Sequence, residues 1–179
     1  MAPYVAVAAL IASYVLSGQK PSDKTGTSTV NLQTGDVTEG GLTGKRYSAE
    51  NRTEAASIAA QGFTLADQYK GLLGVDYIPE AYQVSVGNRD GIGLRIGSTT
   101  QEFERTDEGA EALAKALTSA IIQAGASIAS NDIKTVVQYS GGDVDTITAN
   151  LQWYQTTYKA LNETTEATSE WGQHLEALK

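Results

Sequence analysis

YQVSVGNRDGIGLRIGSTTQEFER, residues 82 to 105, alternates apolar and polar positions on either side of a turn. Tyr82, Val84 and Val86 fall on one side of an extended chain. Ile92, Leu94 and Ile96 repeat the two-residue period after the turn, which is the spacing of a half-buried strand. Asn88, Arg89, Asp90 and Gly91 supply the turn itself, because Asp-Gly tolerates the positive φ angles of a tight hairpin. A two-stranded ribbon is marginal in water, so this one is expected to rest on helices or to pair with strands of a neighbouring chain.

On both sides of the ribbon the period changes to threes and fours. Upstream, Ser48 is placed to cap a helix whose apolar face runs through Ala55, Ile58, Ala59, Gly62, Leu65, Ala66, Tyr69, Leu72 and Leu73. Gly71 and Gly74 mark its end, and Pro79 stops it resuming. Downstream, Thr106 caps a second helix with Asp107 and Glu108 in its first turn, where acids face the positive end of the helix dipole. Its stripe is Ala110, Leu113, Ala114, Leu117, Ile121, Ala124 and Ile128, with a break expected near Asn131 and a resumption through Ile133, Val136 and Val137. From Asp143 to Lys179 the pattern reads as one long helix. Ile147, Leu151, Tyr154, Tyr158 and Leu161 follow steps of four and three, and Leu175 falls on the same seam, with Trp171 on a second stripe one position away. Those are heptad steps, which suit either an amphipathic helix packed on its own domain or a coiled-coil contact with another subunit.

Two segments remain. Residues 3–17 are apolar and carry no charge, but a helical membrane span needs about 20 such residues and a signal peptide needs preceding Lys or Arg. The expected element is a helix buried against other subunits, with Val5, Leu10, Ile11 and Val15 as contacts and transient membrane contact through residues 3–17 as a further option. Residues 19–46 turn to Gly, Thr, Ser, Asp and Lys and are expected to form an extended arm, in which Thr34-Gly35-Asp36 either turns a weak hairpin between the Val30 and Val37 regions or belongs to a linker. The organisation expected is therefore an apolar N-terminal helix over 1–18, the arm over 19–46, a helix, β-hairpin and helix core over 47–142, and a long amphipathic helix over 143–179. The fold class expected is mainly α with one β-hairpin.

Composition narrows the function. Among the 179 residues there is no cysteine, which removes disulfides, thiolate metal sites and a Cys nucleophile. The net charge is -8, and from Glu102 to Lys179 twelve acids face five bases, so the acidity is concentrated in the C-terminal part. Lys45-Arg46 is the one adjacent basic pair, so no stripe exists to neutralise phosphates, and sequence-specific nucleic-acid binding is not expected. His174 is the single histidine, Glu39 and Arg46 occupy the positions where a phosphate loop around Gly44-Lys45 needs Gly and Ser or Thr, and Ile147 interrupts the calcium-loop spacing begun by Asp143 and Asp145. Glu102, Glu104, Glu108 and Glu111 are read as a solvated face in preference to an acid–base pair. No catalytic residue, metal ligand or cofactor is expected.

Val84 to Gly91 (VSVGNRDG) followed by Glu108 to Leu113 (EGAEAL) resembles segments of tail tape-measure and ejection proteins of tailed bacteriophages. The arm residues Lys20 to Gly26 (KPSDKTG), Thr34-Gly35-Asp36, Leu42 to Lys45 (LTGK) and Ser48 to Arg52 (SAENR) resemble stretches that follow a short apolar helix in such virion proteins. The resemblance covers about half of the chain. It implies an internal, ejection or tail-associated component of the virion, a homo-oligomer that also contacts other virion proteins along the DNA exit path. Tape-measure proteins are much longer, so a small internal or ejection protein fits better. The alternative is a membrane-anchored cell-envelope or surface protein that presents its acidic domain outside.

Overall fold

The computed structural model describes residues 3–15, 25–40, 48–79, 81–87, 91–158, 160–161 and 163–164. Among them the helices are α1 (Pro3–Val15), α2 (Ala49–Leu73), α3 (Asp107–Ile128), α4 (Asn131–Tyr139) and α5 (Val144–Trp153). The strands are β1 (Thr25–Asn31), β2 (Val37–Glu39), β3 (Ala81–Gly87), β4 (Ile92–Ile96) and β5 (Thr99–Phe103), which form one antiparallel sheet of order β2-β1-β3-β4-β5. This corrects the expected fold class. The chain is an α+β protein built on a five-stranded sheet, not a mainly α protein with one hairpin.

β3 and β4 are the ribbon of residues 82–105, paired with Tyr82 opposite Ile96 and Val86 opposite Ile92. Two further pairings enlarge it. β5 folds back on β4 through Gly97 and Ser98, with Leu94 opposite Gln101. On the other side, the segment expected to be an arm supplies β1, which pairs with β3 over its whole length from Thr25 opposite Gly87 to Asn31 opposite Ala81. β2 then returns along β1, with Val30 opposite Val37. The connecting turn is closed by Gly35 N donating to Asn31 O at 2.8 Å and Asn31 N donating to Asp36 O at 3.0 Å, with Gly35 at φ 79.

The sheet was hidden because the inner face of β1 is made of small residues. Gly26, Ser28 and Val30 point at α2, and a Cβ at Gly26 would lie 2.1 Å from Arg52 N and 2.3 Å from the carbonyl carbon of Asn51. Strand and helix backbones touch there, so hydrophobic alternation is not what seats the strand. β3 meets α2 through a large side chain instead. Tyr82 donates its hydroxyl to Ala59 O at 2.7 Å, and a Cβ at Gly62 would fall 1.5 Å from that oxygen, so the helix needs Gly62 to admit the ring.

α2 is the central helix. Ser48 caps it by accepting from Asn51 N at 3.3 Å, and Gly74 ends it at φ 63. α1 and α3 pack on α2 and on each other, and α4 and α5 follow on α3 and α2. Thr106 caps α3 by accepting from Gly109 N at 3.0 Å, and Asp143 caps α5 by accepting from Thr146 N at 2.9 Å. Tyr69 on α2 and Thr148 on α5 share a buried hydrogen bond of 2.7 Å. Since the Thr148 hydroxyl also donates to Val144 O at 2.7 Å, Tyr69 is the donor of the pair.

The C-terminal segment is helical at its described residues up to Thr164, as expected, but its winding changes part-way. The α-helix ends at Trp153 and continues as a π-helical turn over Tyr154–Tyr158. A π turn inserts extra chain into the helical repeat, so side chains after it rotate away from the stripe set by Ile147 and Leu151. Gln155 Nε2, inside that turn, donates to Leu72 O at 2.9 Å, one of the last carbonyls of α2, which have no partner within their own helix.

Candidate association surfaces

α1 carries no charge, and one side of it is core. Tyr4, Val7 and Ile11 are buried against α2 and α3. Tyr4 is also the polar tie of that side, its hydroxyl 2.7 Å from Oδ1 and 2.9 Å from Oδ2 of Asp145 on α5. Lys115 on α3 stands 5.6 Å over the Tyr4 ring, 2.9 Å from Glu111 and 3.9 Å from Asp145. Burial, and then the bond to Asp145, push the Tyr4 phenol above its ordinary range, so it acts as a donor and stays protonated.

The other side of α1 faces outward. Leu10 is 45% exposed and Val5 39%, and Ala6, Ala9 and Ser13 share their side. Beside it runs a groove of about 280 Å³ whose floor is Tyr4, Val5, Ala8, Ala9 and Ala12 and whose rim is the carboxylates of Asp107 and Glu111. Its features are an uncharged apolar strip with acids along one edge, which favour another apolar helix over a polar metabolite.

The residues named from sequence as subunit contacts divide into two groups. Ile11, Ile147 and Leu151 lie inside this chain's own core, so they are not surface contacts. Val5, Leu10, Tyr158 and Leu161 are exposed, and Tyr154 is half-buried with its hydroxyl donating to Asp132 Oδ2 at 3.1 Å. Trp153 was not singled out, yet it is 55% exposed and its ring centroid is 5.9 Å from that of Tyr158. The signal for it was available, because a shift of one position in the heptad step brings Trp153 onto the outer stripe. Val15 is the last residue of α1, and its side chain lies outside the described residues, as do Trp171 and Leu175. So do Asn88, Arg89 and Asp90 of the β3–β4 turn, while Gly91 holds φ 77 and accepts at its carbonyl from Gly87 N at 2.8 Å.

The groups weighed for chemistry have structural partners. Asp143 accepts from Thr146 N and from Thr146 Oγ1 at 2.8 Å, and those bonds hold its carboxyl below the ordinary range. Asp145 accepts from Tyr4. Glu102, Glu104, Glu108 and Glu111 are all exposed. Among the described residues no cluster of three or more His, Asp or Glu side chains is placed to hold a metal ion. A second groove, of about 440 Å³ between α3 and α4, is lined by Gln123, Ser127, Lys134 and Gln138 over Ala126 and Val137, with no carboxylate or imidazole among the described residues of its walls.

The feature that sequence reasoning missed is a buried ion pair. Arg105 Nη2 lies 2.8 Å from Glu54 Oε1 and 3.0 Å from Oε2, and its Nη1 donates to Gly87 O at 3.2 Å. One side chain thus joins α2, the end of β3 and the entry to α3. Burial pushes the Glu54 carboxyl up, and the charge and hydrogen bond of Arg105 pull part of that shift back. Comparison with protein-family models, curated proteins and solved structures gives no match to this chain.

Proposed function

We propose that this chain is a non-enzymatic structural subunit of a bacteriophage particle, an internal, ejection or tail-associated protein that works by associating with further copies of itself and with other virion proteins. The observation that carries association is α1. An uncharged helix that buries Tyr4, Val7 and Ile11 and still turns Val5, Leu10, Ala6 and Ala9 outward leaves an apolar strip that a partner would cover. The phage assignment rests on the resemblance of the arm and the β3–β4 segments to tape-measure and ejection proteins. The exposed Trp153, Tyr158 and Leu161 form a second apolar surface of the kind enriched at interfaces.

Light scattering of the intact chain over a range of concentrations tests this. Deleting residues 1–18 would remove core side chains, so the informative variant is Val5→Glu with Leu10→Glu, which leaves the buried side of α1 intact. Assembly of the wild type and its loss in the variant supports the reading, and a monomer at every concentration overturns self-association. A second reading has its own observation: the outer face of α1 is free of charge, as expected of a helix lying in a lipid surface, while no helix among the described residues is long and apolar enough to cross a membrane. Flotation with neutral-lipid vesicles tests it, and an unbound chain overturns it.

A further inference from the structure

The two ends of the sheet are protected to different degrees. β2 is three residues long, and its last residue, Glu39, is held 2.7 Å from Arg52 of α2, so that edge is short and clamped. β5 is five residues long, Thr99 to Glu102 are exposed, and no described strand pairs with its outer side. It carries neither Pro nor Lys, the residues that ordinarily blunt an edge.

The turn decides which backbone groups of β5 point outward. Gly97 at φ 57 and Ser98 form the two-residue connection between the paired Ile96 and Thr99, with Gly in the first central position as a type II′ turn requires. Such a turn is closed by the hydrogen-bonded pair Ile96 and Thr99. Alternation then directs the N–H and C=O of Thr99, Gln101 and Phe103 at β4, and those of Thr100 and Glu102 at the open edge.

We infer that β5 pairs antiparallel with β5 of a second copy, about a two-fold axis through Gln101, to make one continuous sheet across a dimer. This rests on the self-association proposed above and names a surface for it. In that register Thr100 faces Glu102 of the second copy, and both outward residues of each strand exchange their backbone hydrogen bonds. The side chains select the same register. A two-fold axis through Glu102 would set the two Glu102 carboxylates against each other, and one through Thr100 would push Glu102 against the turn. With the axis at Gln101, Arg95 of β4, which is opposite Thr100 and on its face, lies in line with Glu102 of the second copy, about 10 Å away between Cα atoms and within reach of the two side chains. Among the described residues neither Arg95 nor Glu102 has an ion-pair partner; Arg95 Nε donates only to Gly97 O, at 3.2 Å. The dimer supplies both with partners, twice by symmetry.

The test uses the full chain. It holds no cysteine, so a single introduced thiol can cross-link only between copies. Gln101→Cys is expected to give a disulfide dimer on mild oxidation, whereas Thr99→Cys, about 13 Å from its counterpart in this register, is expected to stay monomeric on a non-reducing gel. Thr100→Pro removes an outward N–H without touching the β4 pairing and is expected to raise the dimer dissociation constant roughly a hundredfold by light scattering. Arg95→Glu and Glu102→Arg are each expected to weaken the dimer roughly tenfold, and the double exchange to restore it. That restoration decides the matter if Thr100→Pro does not fold. A chain that assembles but is unaffected by Thr100→Pro, shows no restoration and forms no Gln101→Cys disulfide overturns the edge pairing and leaves the association through α1 standing. A chain that is monomeric throughout overturns both.

Discussion

Two of the sheet's hairpins, β1–β2 and β3–β4, meet α2 through β1 and β3 and do so by different means. β3 and β4 bring large apolar side chains, Tyr82, Val84, Val86, Ile92 and Leu94, all of them buried. β1 brings Gly26, Ser28 and Val30, and its backbone lies directly on that of α2. Each hairpin is also tied to α2 by an arginine and a glutamate, but the ties differ in environment. Arg52–Glu39 is half-exposed at the β2 edge, and Arg105–Glu54 is largely buried at the end of β3. A strand can therefore be fixed by what its side chains fill or by how little they occupy, and only the first kind leaves a hydrophobic pattern behind.

The sharpest way to break that comparison is Gly26→Ala. The new methyl would meet helix backbone, which cannot move as a side chain can, and the expected loss is about 3 kcal/mol or more in urea unfolding, at or above the upper end for overpacking. A loss below about 1 kcal/mol would mean that β1 does not rest on α2 by close approach. Val84→Ala makes the complementary change in β3, leaving a cavity, and is expected to cost about 2 kcal/mol by the same measurement. Tyr82→Phe keeps the ring and removes one buried hydrogen bond, for an expected loss of about 1 kcal/mol.

The ion pairs give the smaller effects. Glu39→Gln at the exposed pair is expected to cost less than about 1 kcal/mol, and less still in high salt. The buried pair shows itself in the pH profile. Glu54 has its folded value raised, so the folded state keeps a proton that the unfolded chain has released. Its contribution to stability is therefore fully present below about pH 4.3, the ordinary glutamate value, and declines as pH rises through the raised folded value. Glu54→Gln is expected to abolish that decline in a series of thermal melts, and a profile unchanged in shape would show that Arg105 offsets the burial completely.

How much was legible follows the same division. Ser48, Thr106, Gly74 and the three-and-four spacing located α2 and α3, because a cap and a helical face are made by residues within a turn or two of one another. The β3–β4 ribbon was legible for a similar reason, since its turn and its alternation lie in one short stretch. The β1–β2 hairpin was one of two readings left open for Thr34-Gly35-Asp36 and is the one observed, but its place in the larger sheet was not legible, because the partner that orders β1, the N-terminal turn of α2, lies more than twenty residues further along the chain. The contact is visible only as Gly26 against Asn51 and Arg52. Among the association candidates, the spacing could say that Ile147 and Leu151 share a face with Tyr158 and Leu161. It could not say that the π turn at Tyr154–Tyr158 would send the first pair inward and the second outward. Arg105 and Glu54 drew no reading for the same reason: 51 residues separate them, and nothing local distinguishes a buried ion pair from a solvated one.

By itself the sequence determined the two ends of α2 and the start of α3, the β3–β4 ribbon, the freedom from thiol chemistry and the acidic balance, all of which depend on residue identity or on neighbours a few positions away. Tertiary structure decided that β1, β2 and β5 complete a sheet, which side of α1 is core, and where the C-terminal helix changes its winding. These were decided at long range, by which backbones can approach closely and which polar groups find partners once water is excluded.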